Sequence, residues 1–237
     1  MKKGHKILLM AACAVLLVCI SVGATVAYLT STDEVTNTFT VGKVAITLDE
    51  AKTNVDGEPL KDTKDEQGNV KSEVVARPED ATRVQGNRYK LLPGHTYIKD
   101  PTIRVSADSE PCYLFVKVEN GIADIEDEEN TIENYMLGQN WVKLGESHPN
   151  IWFRAEDFEE GQTPVPAKYN AGSNVVIFPE FTIAESVLGG TKPDNPAEGA
   201  LYIEDYKDAT IKITAYAIQA DGFANSTPEQ IWQAIGE

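Results

Sequence analysis

From Ala209 to Ala220 the chain alternates with a period of two, placing Ile211, Ile213, Ala215 and Ala217 on one side and Lys212, Thr214, Tyr216 and Ile218 on the other. Successive side chains of a strand point to opposite faces, so this pattern specifies a half-buried strand and argues against a helix there. The same grammar recurs along the chain. Asn37 to Leu48 carries Phe39 and Val41, then Val44, Ile46 and Leu48, with a slip of phase at Gly42-Lys43 that predicts a bulge or bend. After the turn signal Pro93-Gly94, Tyr97, Ile103 and Val105 open a strand, and Cys112 to Val118 is expected beside it. That second run is almost continuously apolar, which predicts cover on both faces. Trp141–Leu144 and Ile151–Phe153 flank a polar turn and read as a hairpin, and Val165–Tyr169 and Asn174–Phe181 supply further strands. Short strands between turns, without an alternating helix pattern, predict an all-β chain folded as an antiparallel sandwich.

Three segments break the pattern. Residues 49–90 are rich in charge and turn residues and read as a solvated insertion, with Val70–Val75 as a short hairpin arm. Ile122–Leu137 spaces Ile125, Ile132, Tyr135 and Met136 among acids, which allows an acidic surface helix. Residues 227–235 predict a short carboxy-terminal helix. Thr227 caps it, Pro228 takes its first position and Gln230 can close a capping box. Ile231, Trp232 and Ile235 would dock on the sandwich.

The amino terminus follows a different logic. Residues 1–6 are basic, Ile7 to Val22 is apolar apart from Ser21, and small residues follow at Gly23-Ala24-Thr25-Val26-Ala27. This order predicts a secretory signal peptide over residues 1–27, cut between Ala27 and Tyr28 with Thr25 at the third position before the cut. Residues 28–237 would then form a single sandwich domain. Any membrane attachment would run through the uncleaved leader, since Ile7 to Leu29 could just span a bilayer.

Charge excludes one large class of partners. The chain holds 21 basic and 37 acidic residues, a formal net charge of −16. Lys2, Lys3 and Lys6 fall in the leader, so the body is more acidic still, and it repels nucleic-acid backbones. Cys13 and Cys19 also lie in the leader. Cys112 is then alone, cannot form an internal disulfide, and is expected to be a buried strand residue.

Catalytic signatures were sought without success. His95 and His148 are far apart in sequence, and there is no His-Glu-x-x-His pair, zinc-spaced Cys/His cluster, phosphate loop or Gly-x-Ser-x-Gly elbow. The acidic runs Asp124–Glu129 and Glu156–Glu160 lack the glycine-centred calcium loop and read as solvated faces. The aromatic residues Trp141, Trp152, Phe153 and Phe158 are expected in the core rather than on a sugar-binding face. No catalytic, cofactor or metal-binding residue is assigned, and the chain is not expected to be an enzyme.

Two stretches carry a family resemblance. Gly23 to Glu50, running from the small-residue site through Tyr28 and a Thr-rich polar stretch into Gly42-Lys-Val-Ala-Ile-Thr-Leu48, resembles the start of the TasA/camelysin family. Leu91-Leu-Pro-Gly-His-Thr-Tyr-Ile-Lys-Asp-Pro-Thr-Ile-Arg-Val105 resembles that family's Pro-Gly strand entry. The resemblance implies a jelly roll exported by a SipW-type signal peptidase to the surface or extracellular matrix of a Gram-positive bacterium. It further implies a biofilm fibre protein that polymerises head to tail with copies of itself. In that picture Tyr28 to Thr40, with Val35 and Phe39 as its apolar side chains, is the donor strand that completes the next subunit's sheet. Two alternatives stand beside it: a camelysin-like surface metalloprotease, and a monomeric surface module binding through the 49–90 insertion.

Overall fold

The computed structural model describes residues 43–159 and 161–236, so the expected cleavage site at Thr25, Ala27 and Tyr28 and the candidate donor residues Tyr28, Val35 and Phe39 lie outside the described residues. In chain order the strands are β1 (Ile46–Ala51), β2 (Leu60–Lys64), β3 (Val70–Val74), β4 (Arg83–Val84), β5 (Thr96–Ile98), β6 (Thr102–Val105) and β7 (Cys112–Asn120). After helix α1 (Ile132–Gly138) come β8 (Trp141–Lys143), β9 (Ile151–Arg154), β10 (Lys168–Tyr169), β11 (Asn174–Val176), β12 (Glu180–Thr182), β13 (Ile211–Gln219) and helix α2 (Pro228–Ile235). All of the strand pairings are antiparallel, as expected of an all-β chain.

Two sheets enclose the main core. One has the order β11-β6-β1-β4. In the other, β7 is central: β13 pairs along its whole length on one side, and β9 and β10 pair on the other, with β8 outside β9. Between the sheets lie Ile103 and Val105 of β6, Leu114, Val116 and Val118 of β7, and Trp141, Trp152 and Val175. Tyr97 and Phe181, stacked at 5.0 Å on the small β5–β12 sheet, close one end of this core. The outer face of the β7 sheet carries a second apolar cluster, Phe115, Ile151 and Phe153, capped by Ile231 and Trp232 of α2. The continuous apolar run of β7 thus has its cause: both faces are covered.

Helix α2 forms where its local chemistry predicts. The Thr227 side chain accepts from the Gln230 N–H while the Gln230 side chain accepts from the Thr227 N–H, completing a capping box. Trp232 meets Tyr216 of β13 edge-on at 5.0 Å, so the helix lies on the sheet face. Burying Trp232 and Ile231 contributes roughly 1.5–3 kcal/mol each.

Several expectations are corrected. The strand anticipated from Tyr97 to Val105 is two strands in different sheets, separated at Lys99-Asp100-Pro101, and Asn174–Phe181 splits likewise around Pro179. A proline lacks the N–H a ladder needs, so each run changes sheet there. The anticipated helix over Ile122–Leu137 is a 3-10 turn at Ala123–Ile125 followed by α1, whose Ile132 and Met136 are buried. The solvated character expected of residues 49–90 holds for the β2–β3 hairpin, all of whose β3 residues are exposed. It fails at both ends, where Glu50, Ala51 and Ala81 are buried. Gly94, at φ +70, makes the anticipated turn, with the His95 N–H donating to the Leu92 carbonyl at 3.3 Å. No helix among the described residues is long and apolar enough to cross a membrane.

Candidate functional site

Alternate residues of an antiparallel strand direct their backbone groups to opposite neighbours. The Thr210 carbonyl accepts from Gly121 and the Ala220 N–H donates to Pro111, so the even-numbered residues of β13 face β7. Ile211, Ile213, Ala215, Ala217 and Gln219 therefore turn their N–H and C=O groups away from it, and no described strand pairs with that side. β1 presents a second such edge. The Ala45 carbonyl accepts from Ser106, which sets Thr47 and Asp49 toward β6 and leaves Ile46 and Leu48 facing outward. β4 meets β1 only at Glu50 and Ala51.

The two edges face one another. Ile46 to Glu50 and Ile211 and Ile213 line a common cavity of about 500 Å³. Ile46, Leu48, Ile211, Ile213, Ala215 and Ala217 pack against the main core yet stay half-exposed. The sandwich is thus open along a seam whose walls are strand edges without a described partner and whose lining joins Ile46, Leu48, Ile211 and Ile213 to the polar Thr47, Asp49, Glu50, Gln85 and Lys99. Nine residues of edge strand without proline or bulge are unusual, because such edges invite pairing with other chains.

A second cavity, of about 830 Å³, continues the seam and shares Gln85, Lys99 and Ile211 with the first. It lies beneath the segment from Gln85 to Leu91, with Lys207 to Ile211 on the other wall. Where the two cavities meet, a buried charge network fixes β1. Lys99 Nζ donates to Glu50 Oε2 at 2.5 Å, and Asn87 Nδ2 donates to Glu50 Oε1 at 2.8 Å. Arg83 bridges Asp49 and Asp100 at 2.7 and 2.6 Å, and the Ala51 N–H donates to Asp100 Oδ1. Tyr89 donates to the Ile98 carbonyl, and burial, then the Glu50 charge, push its phenol well above the ordinary range.

The other residues singled out in the sequence do not converge. His95 Nε2 lies 2.8 Å from the Asp56 carbonyl and its ring packs on Tyr97, whereas His148 packs on Trp232. No group of three His, Cys, Asp or Glu side chains suited to a metal occurs among the described residues. Cys112 is fully buried in β7, and burial pushes its thiol up to about 11, so no reactive thiolate forms there. Trp141 and Trp152 belong to the main core and Phe153 to the outer cluster, while Phe158 is 38 % exposed. They share no binding face.

The acidic run 124–129 contains one structural residue that sequence inspection missed. Glu126 is buried, accepting from the Ile132 N–H at 3.1 Å and from Asn120 Nδ2 at 2.9 Å, and so satisfies a first-turn donor of α1 alongside the Thr131 cap. Its signal is faint: an acid preceding a Thr-capped helix. Glu126→Ala is expected to destabilise the protein by about 2 kcal/mol, read as a lower urea midpoint with unchanged slope. Burial raises the Glu126 pKa. Stability from its protonation is therefore complete below the unfolded carboxyl value and is lost as pH rises through the folded one. The pH profile of Glu126→Ala should lack this component.

Comparison with protein-family models, with curated proteins and with solved structures finds no match.

Proposed function

We propose that this chain is an exported structural protein of a cell surface or extracellular matrix, a jelly-roll-like sandwich that polymerises head to tail by strand addition. The observation that carries it is the open seam between β1 and β13. Unpaired N–H and C=O groups along a strand edge are satisfied most directly by another strand, and the half-exposed Ile46, Leu48, Ile211 and Ile213 offer sites for its alternate side chains. Residues 28–40 suit that role in composition. They are Thr-rich, place Val35 and Phe39 on one strand face, and hold too little apolar surface to form a core alone.

Before β1 the chain runs along the loop following β6, the Lys43 and Ala45 carbonyls accepting from Glu110 and Ser106. The chain thus enters β1 from the end opposite Glu50, and residues 28–40 precede that entry in sequence. Cleavage between Ala27 and Tyr28 by a SipW-type peptidase would free that segment and act as the assembly switch. On this proposal the chain works through its backbone edges, with no catalytic residue or cofactor.

The test uses the purified chain beginning at Tyr28. Electron microscopy and sedimentation should show filaments, and deleting Tyr28–Thr40 should leave soluble single particles with unchanged circular dichroism. Filaments that persist in the deletion variant would refute strand donation by this segment.

A further inference from the structure

The cavity under the Gln85–Leu91 segment is oddly charged for so acidic a protein. Arg88, Lys90 and Lys207 line it, with Asp208 as the nearby acid. None of the three basic residues enters an ion pair among the described residues, although most basic side chains there do. Lys99 lines the same cavity but is committed to Glu50. Three cations without an ion pair among the described residues thus gather at one end of the seam, in a chain whose formal net charge is −16. Each is exposed at the surface, so neighbours do not force the arrangement.

The candidate donor segment is complementary. Between Tyr28 and Thr40 its only charged residues are Asp33 and Glu34. In a strand, Asp33 shares a face with Val35 and Phe39. When those two side chains lie over the seam, Asp33 stands roughly 7 Å beyond Val35 on the same face. One end of the segment is apolar and the other acidic; the groove carries Ile46, Leu48, Ile211 and Ile213 in one cavity and the basic Arg88, Lys90 and Lys207 in the next.

We propose that Arg88, Lys90 and Lys207 form an electrostatic lock for Asp33 and Glu34 of a second copy, which fixes the direction and register of the docked strand; this rests on the strand-donation proposal above. β1 runs toward the basic cavity, since its Glu50 end adjoins Gln85 and Lys99, and β13 runs away from it, beginning at Ile211. A strand with Asp33 at the basic end and Phe39 over the seam therefore lies antiparallel to β1 and parallel to β13. The reverse orientation would bring Phe39 and the neutral threonines to the cations and leave both charges unmatched.

Charge exchange in the chain beginning at Tyr28 tests the lock. The triple variant R88E/K90E/K207E should raise the critical concentration for filaments by about tenfold or more, with its melting temperature preserved because all three residues are exposed. D33K/E34K should do the same. Combining both sets in one chain should restore assembly. Filaments from the triple variant at the wild-type concentration would overturn the lock. So would loss of assembly that the combined variant fails to rescue, since the cations would then act only on their own loop. If filaments survive deletion of Tyr28–Thr40, strand donation falls as well; if the deletion abolishes them while the triple variant assembles normally, the lock alone falls.

Discussion

Lys99→Met is expected to cost about 3–5 kcal/mol of folding stability, read as a large drop in the urea midpoint. The Lys99 and Glu50 side chains are only 9 % and 6 % exposed. Removing the ammonium leaves a carboxylate desolvated, with Asn87 as its remaining side-chain partner. The loss arises from the uncompensated charge, because replacing a whole buried pair by apolar groups is commonly close to neutral. Glu50→Leu combined with Lys99→Met should therefore recover most of the stability lost by Lys99→Met alone. If the double variant is instead as unstable as the sum of both single variants, the two charges are uncoupled and each acts through its other contacts. The network also fixes the seam. Asp49 receives Arg83 and Arg104, and Asp100 receives Arg83 and the Ala51 N–H, so β1 is tied to β4 and β6 by charge while its outward edge stays open. Lys99→Met is accordingly expected to disturb assembly along with stability.

The elements legible in the sequence are those whose cause is local. β13 follows from strict alternation, α2 from its Thr227–Gln230 box, and the β8–β9 hairpin from two aromatic runs around a polar turn. Elements whose cause is remote are not legible there. Lys99-Asp100-Pro101 looks like a strand continuing, yet Pro101 interrupts the ladder, and the charges of Lys99 and Asp100 are held by Glu50 and Arg83, distant in sequence. The end of the 49–90 segment carries the charge of a solvated loop, whereas pairing with Asp49 and Asp100 draws Arg83 partly inside. Glu126 is likewise hidden among neighbouring acids, its partners Asn120 and the Ile132 N–H lying outside that run.

The seam was the least legible feature. Whether a strand lies at an edge depends on topology, and no residue type marks it. Ile211 and Ile213 would alternate identically in a central strand. Their half-exposure, together with the absence of a described partner, distinguishes an edge from an interior position. A donor segment can be proposed from composition and resemblance, but the edges on which it is proposed to dock emerge only from the pairing register of β7 with β13 and of β1 with β6.

That register yields the sharpest test of the edge itself, a pair of proline substitutions one residue apart. The Ala215 N–H points away from β7, so Ala215→Pro removes no ladder bond and should fold with a melting temperature within a few degrees of wild type. The Thr214 N–H points toward Lys117, so Thr214→Pro breaks the ladder between two long strands and should cost on the order of 3 kcal/mol. Assembly should follow the opposite logic. Proline at 215 blocks the groups an incoming strand needs, and the folded variant should fail to elongate filaments at concentrations where wild type does. A folded Ala215→Pro protein that polymerises normally would place the contact between copies somewhere other than β13. Stability and polymerisation would then be governed by different edges, and the apolar rim at Ile211 and Ile213 would need another occupant.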